Sequence, residues 1–399
     1  MTPPARGWRR PETLLLLLAA AMPLAFGTWQ ALINNFAIER AAFTGAEIGI
    51  LQSLREVPGF LAFTFIFLLA WLREQTLALL ALLLLGAGVA VTGLLPSFSG
   101  LLLTTFVMSV GFHYFETARN SLTLQWLEQG QTAAFMGRMI AAGSAASLLI
   151  YGLIWLLLRG GLPLAWVYAI GGGLTVALAV GAWLAFPHFP VKVVQKKHLL
   201  LRRRYSLYYV ITFLAGARRQ IFVVFAGFLM VEKFGFDAAA ISLMFLANMA
   251  LNTLAGPAIG RAIARWGDRR ALTYEYLGLC VVFTAYAFVE TAWIAVVLYL
   301  LDHLFFAMSI AIRTYFQKIA DPAEIAPTAG VAFTINHIAA VLLPAPLGLL
   351  WLVSPASVFL LGAGLALASL ACVRLIPADP QPGREWIFSP PVATERAAA

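Results

Sequence analysis

Charged and polar side chains that could bind a solute or carry a proton stand inside apolar stretches of this sequence. Ionised groups are costly in hydrocarbon, so such residues normally face a protein interior or a water-filled path. Arginine binds anions bidentately, and carboxyl and imidazole groups exchange protons. These residue types predict binding of a charged solute coupled to proton movement. The deepest of them are Arg55, Glu56, His113, Glu116, Arg218, Arg219, Asp302 and His303.

Three carboxyl groups, Glu56, Glu116 and Asp302, are predicted to couple the binding of protons to the binding of a solute. Burial favours the neutral form of a carboxyl group, and a neighbouring arginine favours the ionised form. A carboxyl group whose arginine partner alternates with the solute can therefore load and release a proton in each cycle. His113 and His303 are candidate relays.

A larger polar set is predicted to contact the solute. Arg119, Arg138 and Arg313 add positive charge to the same path, which favours an anionic or zwitterionic solute. The predicted solute contacts are Gln30, Asn34, Gln52, Arg55, His113, Arg219, Gln220, Asn248, His303, Asn336 and His337.

Structural roles compete with these functional ones. Glu116 and Arg119 stand three residues apart on one helix and can neutralise each other. Arg138 and Arg313 lie near helix ends, from which arginine side chains reach the membrane surface. Asparagines inside spans can serve as hydrogen-bonded links between helices.

The elements that position these residues are membrane-spanning helices. The chain of 399 residues is 61% hydrophobic and only 11% charged, whereas soluble domains have about 25% charged residues. Runs of roughly 20 apolar residues cross a bilayer as helices. We therefore predict an all-α integral membrane protein with two six-helix bundles. The twelve predicted spans are 13–36, 45–72, 75–96, 98–122, 134–158, 162–186, 206–231, 238–264, 271–289, 292–317, 325–352 and 355–376.

Lysine and arginine counts give the orientation. With the N-terminus inside, the predicted cytoplasmic segments and the span ends that adjoin them hold 18 of these residues, and the outer loops hold three. Such an excess marks the cytoplasmic side, so both termini are predicted to be cytoplasmic and the protein to lie in the cell inner membrane. The predicted segments are an N-terminal tail (1–12), an N-terminal bundle (13–186), a basic central loop (187–205), a C-terminal bundle (206–376) and a disordered tail (377–399).

A family resemblance rests on the predicted loop between spans eight and nine, "GRAIARWGDRR". Gly260, Arg265, Gly267 and Arg269 match the signature loop of the major facilitator superfamily, but the aspartate position of that signature holds Ala264. The sequence thus resembles that superfamily, with these four residues as a gating-loop motif. The resemblance implies two bundles that rock about a central site, lined by spans 1, 4, 7 and 10.

The leading functional hypothesis is secondary active transport of a small solute by alternating access, coupled to protons. The sequence has no Walker-type phosphate loop, and its two cysteines lie in apolar segments. We predict no enzymatic activity, no cofactor, no metal and no nucleic-acid partner, and a monomer in the bilayer. The alternative is a transport-inactive member of the fold that acts as a sensor or partner subunit. Import and export are both open.

Arg218 and Arg219 are predicted to have different roles. Adjacent helical residues point about 100° apart. Arg219 shares a small and polar face suited to a cavity, whereas Arg218 shares an apolar face suited to packing. We expect Arg219 to contact the solute, and Arg218 to pair with Asp302 or Glu56.

Overall fold

The computed structural model describes residues 7–69, 71–127, 129–190, 201–321 and 324–389, and within these ranges it is built from helices. The outermost parts of both predicted tails and most of the predicted central loop lie outside the described residues. Sixteen α-helices are found in the described ranges. They are α1 (Pro11–Ala41), α2 (Gly45–Phe60), α3 (Phe65–Leu68), α4 (Glu74–Thr92), α5 (Phe98–Trp126), α6 (Gln129–Arg159), α7 (Leu164–Ala185), α8 (Ser206–Gln220), α9 (Gly227–Glu232), α10 (Ala238–Trp266), α11 (Asp268–Ala287), α12 (Ala292–Ala307), α13 (Ile310–Ile319), α14 (Ile325–Leu342), α15 (Pro344–Val353) and α16 (Pro355–Arg374).

Ten helical segments of the described chain are long and apolar enough to cross a membrane. The other two predicted spans, 45–72 and 271–289, coincide with α2 to α3 and with α11. The first is interrupted, because α2 ends at Phe60 and a 3₁₀ turn, Leu61–Thr64, follows it. The second, α11, carries Glu275 and three charged residues in its first turn. The helical membrane architecture is therefore as predicted.

Several predicted spans contain local breaks close to predicted site residues. A π-helical segment, Ile221–Ala226, follows α8 directly after Gln220. The predicted span 292–317 divides between α12 and α13 at Met308 and Ser309. That break separates Asp302, on α12, from Arg313, on α13.

The chain forms two compact units. Unit 1 comprises Met1–Gln195, Gly227–Ala250 and Pro344–Leu349, and unit 2 comprises Lys196–Ala226, Leu251–Leu343 and Leu350–Ala399. The predicted division into bundles 13–186 and 206–376 stays a prediction.

Unit 1 is held together by close helix contacts through small residues. α4 packs against α5 and α7, and α1 packs against α6 and α7. A side chain on Gly172 of α7 would overlap the backbone of α4 at Gly86 and Ala90. Small residues at helix interfaces allow this approach in membranes, where van der Waals packing drives association.

Unit 2 is centred on α11 against α16 and on α8 against α14 and α16. Gly216 of α8 faces Asn336 of α14, so closely that a Cβ atom there would lie 2.6 Å from the Asn336 Nδ2. Gly267 alone separates α10 from α11, with a φ of 78° that favours glycine. These contacts fix the helices that carry the charged residues of unit 2.

Candidate functional site

A buried ion pair in unit 1 joins two neighbouring residues of α2. Arg55 donates a hydrogen bond to Glu56, and the guanidinium group lies 5.6 Å from the centre of the Trp29 ring. The Nε2 of His113, on α5, lies 4.0 Å from the second carboxylate oxygen of Glu56. Ser109, one turn earlier on α5, donates to the carbonyl of Arg55 and ties the two helices together.

A small cavity of about 10 Å³ lies beside this group, lined by Arg55, Glu56, Ser109, His113 and three apolar neighbours. That volume is about what one water molecule needs. The structure therefore brings together three residues predicted from the sequence, Arg55, Glu56 and His113, in a space too small for an organic solute.

A larger cavity of about 260 Å³ lies between α1, α5 and α6 of unit 1. Its polar lining comes from α5 and α6, and its apolar lining includes methionines and Pro23 of α1. The lining residues are Ala19, Met22, Pro23, Arg119, Asn120, Thr123, Met139, Ile140, Gly143, Ser144 and Ser147. This volume is large enough for part of a small organic solute.

The charge at this cavity belongs to a pair on α5. Arg119 Nη2 donates to Glu116 at 2.7 Å, and both side chains are about four-fifths buried, with exposed fractions of 18% and 22%. One oxygen of Glu116 and the Nε of Arg119 have no hydrogen-bond partner among the described residues. Arg119 lines the cavity, and Glu116 is its partner one turn earlier on α5.

The other predicted contacts of unit 1 are spread over three helices. Gln52 is buried on α2, one turn before Arg55 and Glu56, and its Oε1 has no hydrogen-bond partner among the described residues. Gln30 and Asn34 stand four residues apart on α1 and are half-buried. Asn248 is buried on α10.

In unit 2, an aromatic group surrounds His303 of α12. The ring centres of Phe222 and Tyr299 lie 5.2 and 4.6 Å from that of His303. The exposed Arg219 lies with its guanidinium carbon 5.9 Å from the Phe306 ring centre. Arg219 and His303, both predicted contacts, therefore share one face with three aromatic rings.

The remaining predicted contacts of unit 2 take helix-packing positions. Gln220 is buried at the end of α8, next to the π segment. Asn336 fills the space beside Gly216. The Nδ1 of His337 lies 2.9 Å from the carbonyl oxygen of Phe333 one turn earlier, as expected for a histidine that satisfies its own helix.

Arg218 and Asp302 are buried away from that aromatic face. Arg218 is 1% exposed, donates to Ser369 of α16 and lies 4.3 Å from the ring centre of Tyr276. Its Nη2 lies 3.7 Å from the carboxyl group of Glu275 of α11, and its charge also acts on Asp302. The sequence predicted Asp302 or Glu56 as the partner. It missed Glu275, because that residue seemed to lie at a helix end, whereas it is fully buried.

The predicted gating-loop residues occupy the junction of α10 and α11. Arg265 lies in the last turn of α10, Gly267 forms the turn, and Arg269 follows in α11, while Gly260 lies further back on α10. The acidic residue nearest to Ala264 along the chain is Asp268. Asp268 accepts hydrogen bonds from Thr314 at 2.5 Å and Lys318 at 2.7 Å, which ties this junction to α13.

Sequence reasoning also missed the serines of the larger cavity, Ser144 and Ser147. The sequence feature that could have indicated them is the group of small residues on α6 that they form with Gly143, which lies four residues before Ser147. It was not assigned because spaced glycines and serines serve helix packing equally well.

Comparison with known proteins identifies the fold. The family model described as Major Facilitator Superfamily matches residues 13–344 and, in a second match, residues 208–389. No curated protein matches the sequence significantly.

Solved transporters are similar in structure. The nucleoside transporter NupG is 16% identical, with a TM-score of 0.74 over 91% of this chain and 98% of that chain. A mutant of NupG has a TM-score of 0.77 over 92% and 99%, again with 16% identity. A bacterial homologue of the human lysosomal transporter Spinster, in an inward-facing and occupied conformation, is 14% identical, with a TM-score of 0.70 over 91% and 94%.

Proposed function

Because the chain belongs to the Major Facilitator Superfamily, we propose that it is a secondary active transporter that moves a small polar solute by alternating access. The observation that carries this proposal is the cavity of about 260 Å³ between α1, α5 and α6, which is lined by Arg119, the ion-pair partner of Glu116. A purely structural ion pair has no need of an adjoining cavity lined with hydroxyl and amide groups.

The lining chemistry supports a solute that carries an anionic group and further hydrogen-bonding groups. Arg119 can bind a carboxylate or phosphate with its guanidinium group, and Asn120 and Ser144 offer neutral hydrogen bonds. In unit 2, Arg219 and the aromatic rings around His303 form a separate candidate surface that suits an anionic group together with a planar ring. Because NupG, which is similar in structure, is a nucleoside transporter, nucleosides should be included among the candidate solutes.

We propose that transport is coupled to protons through Glu116. When an anionic solute binds the guanidinium group of Arg119, Glu116 loses the only ion-pair partner that it has among the described residues. A carboxylate left unpaired in an apolar bundle is stabilised by taking up a proton. Solute and proton would thus load together. The Arg55–Glu56–His113 group, with space for one water molecule, offers a second proton position.

The proposal also includes the location of the protein, its orientation in the membrane and its oligomeric state. The excess of lysine and arginine in alternate loops supports a multi-pass protein of the cell inner membrane with both termini in the cytoplasm. We propose that it works as a monomer, without cofactor, as a carrier and not as an enzyme.

The proposal is tested with purified protein and a solute panel of organic anions, amino acids, sugars, nucleosides and amphipathic drugs. Thermal-shift measurements should identify a stabilising solute, and liposomes should take it up. Arg119→Gln should abolish the shift, whereas Arg159→Gln, an exposed arginine at the end of α6, should retain it. If a solute binds but never crosses the liposome membrane, the transport-inactive sensor or partner subunit is the better assignment.

A further inference from the structure

A cluster of ionisable groups in the interior of unit 2 has no place in the solute site described above. Arg218 of α8, Glu275 of α11 and Asp302 of α12 are 1%, 0% and 3% exposed. The Nη2 of Arg218 lies 3.7 Å from a carboxyl oxygen of Glu275, and Asp302 is buried on α12, which packs against α11, near enough to interact electrostatically with both groups. Three helices therefore bring one guanidinium group and two carboxyl groups together.

The charges of this cluster do not balance if both carboxyl groups are ionised. One arginine against two carboxylates leaves a net charge of −1 in the interior of a membrane protein. An uncompensated buried charge is expensive, and a carboxyl group avoids it by binding a proton. Arginine keeps its charge in proteins, so the proton must reside on a carboxyl group.

The hydrogen bonds independently indicate that Glu275 is not a fully ionised partner. Neither carboxyl oxygen of Glu275 has a hydrogen-bond partner among the described residues, although the side chain is fully buried. An ionised arginine–carboxylate pair normally closes to about 2.7–2.9 Å, whereas here the separation is 3.7 Å. Arg218 instead donates to the hydroxyl group of Ser369.

The surrounding ionisable groups do not supply the missing positive charge. The tyrosines that interact electrostatically with the cluster, Tyr276 and Tyr286, are neutral near pH 7. Charged groups on the neighbouring helices have other positions. Asp268 of α11 and Lys318 of α13 pair with each other. Arg313 and Arg374 are exposed. Arg219 interacts electrostatically with His303, and the Nδ1 of His337 on α14 contacts a carbonyl oxygen of its own helix.

We propose that Arg218, Glu275 and Asp302 form a proton-binding site in unit 2 that holds one proton, shared by the two carboxyl groups, at neutral pH. Binding forms an O–H bond on Glu275 or Asp302, and the charge of Arg218 balances that of the other carboxylate. The site adds to the proposed function a proton position that the solute does not contact.

This inference rests on the proposed function only for the use of the proton in transport, and the occupancy of the site can be tested without a solute. Infrared spectroscopy distinguishes the carbonyl stretch of a protonated carboxyl group from the bands of a carboxylate. We would record it at neutral pH on solute-free protein in lipid, for the wild type, Glu275→Gln, Asp302→Asn, Arg218→Gln and the double variant Arg218→Gln/Glu275→Gln.

Charge balance gives each protein a distinct expected intensity. Each single carboxyl variant should lose the same one carbonyl band, because the remaining carboxylate is neutralised by Arg218. Arg218→Gln should instead gain one carbonyl, since both acids then bind protons, and the double variant should match the wild type. All five proteins then have a neutral cluster, so each is expected to fold.

Asp268→Asn is the matched control, because Asp268 is a buried carboxylate of the same unit with its own cation, Lys318. It should leave the band unchanged. The proposal is wrong if the band persists in both single carboxyl variants, or if Arg218→Gln gains no carbonyl intensity. A transporting protein without the band would overturn the proton site alone, and a protein with the band that transports nothing would overturn only the proposed function.

Discussion

Two pairs of adjacent residues, Arg218 with Arg219 and Asp302 with His303, divide in the same way between a buried and an accessible side of unit 2. Arg218 and Asp302 join the interior cluster, whereas Arg219 and His303 share the aromatic face. The 100° step between neighbouring helical residues produces this division. A doublet of charges in one helix can thus serve two separate sites.

The double variant Glu275→Gln/Asp302→Asn should be strongly destabilised, because it leaves Arg218 buried without a counter-charge. Removing the partner of a buried charge costs about 3–5 kcal/mol. Chemical denaturation in detergent measures the loss. Adding Arg218→Gln to the same protein should restore most of the stability, and a triple variant as unstable as the double would contradict a charge-based cause.

Arg219→Gln should leave stability within about 0.5 kcal/mol of the wild type, since the side chain is exposed and its removal leaves no cavity. Its effect should appear in binding of an anionic solute. If the solute produces the same thermal shift in this variant as in the wild type, Arg219 does not bind it.

At the scale of elements, the sequence predicted the helices well because long apolar runs determine them. It did not predict where those helices break. The division of α12 from α13 at Met308 and Ser309 and the π segment after Gln220 contain no proline or glycine. The burial of Glu275 was missed for a related reason, since position along a span does not reveal which neighbours cover a side chain. Arg55, Glu56 and His113 were found because two of them adjoin in sequence and the third lies on a polar helix face.

Packing of α8 against α14 depends on the absence of a side chain at Gly216. Gly216→Ala should cost about 1–3 kcal/mol, because the new methyl group would lie 2.6 Å from Asn336. Gly152→Ala on α6 is the matched control, because nothing lies within 4 Å of its added methyl group. Equal melting temperatures for the two variants would show that the Gly216 contact is not close in solution.

The link between the start of α8 and the start of α14 should weaken in acid. Burial acts to raise the pKa of Glu324, but hydrogen bonds from Arg204, Tyr205 and Arg202 outweigh it and lower the pKa below the ordinary value. Its contribution to stability is therefore present above the ordinary glutamate pKa and is lost as pH falls through the lowered one. Melting temperatures of the wild type and Glu324→Gln, measured against pH, should converge in acid. A constant difference at all pH values would argue against this link.

For the whole molecule, membership of the superfamily makes transport the central expectation, and coupling can be separated from movement of the solute. Once a solute is known, Glu116→Gln should lose accumulation driven by a pH gradient while it retains exchange of labelled for unlabelled solute across liposomes. Exchange needs no net proton movement. Accumulation that survives in this variant would exclude Glu116 as the coupling group.

The interior cluster of unit 2 also constrains how the protein is made. Its charges lie on α8, α11 and α12, which leave the ribosome one after another, so Arg218 is synthesised well before either of its acids. An arginine at the centre of a lone helix disfavours membrane insertion by about 2.5–3.5 kcal/mol. Arg218 lies near the middle of the apolar segment Arg203–Glu232, so we expect this segment to insert less efficiently when the chain is truncated before residue 275. The order of biosynthesis makes Glu275 and Asp302 assembly partners of Arg218 before any proton is carried.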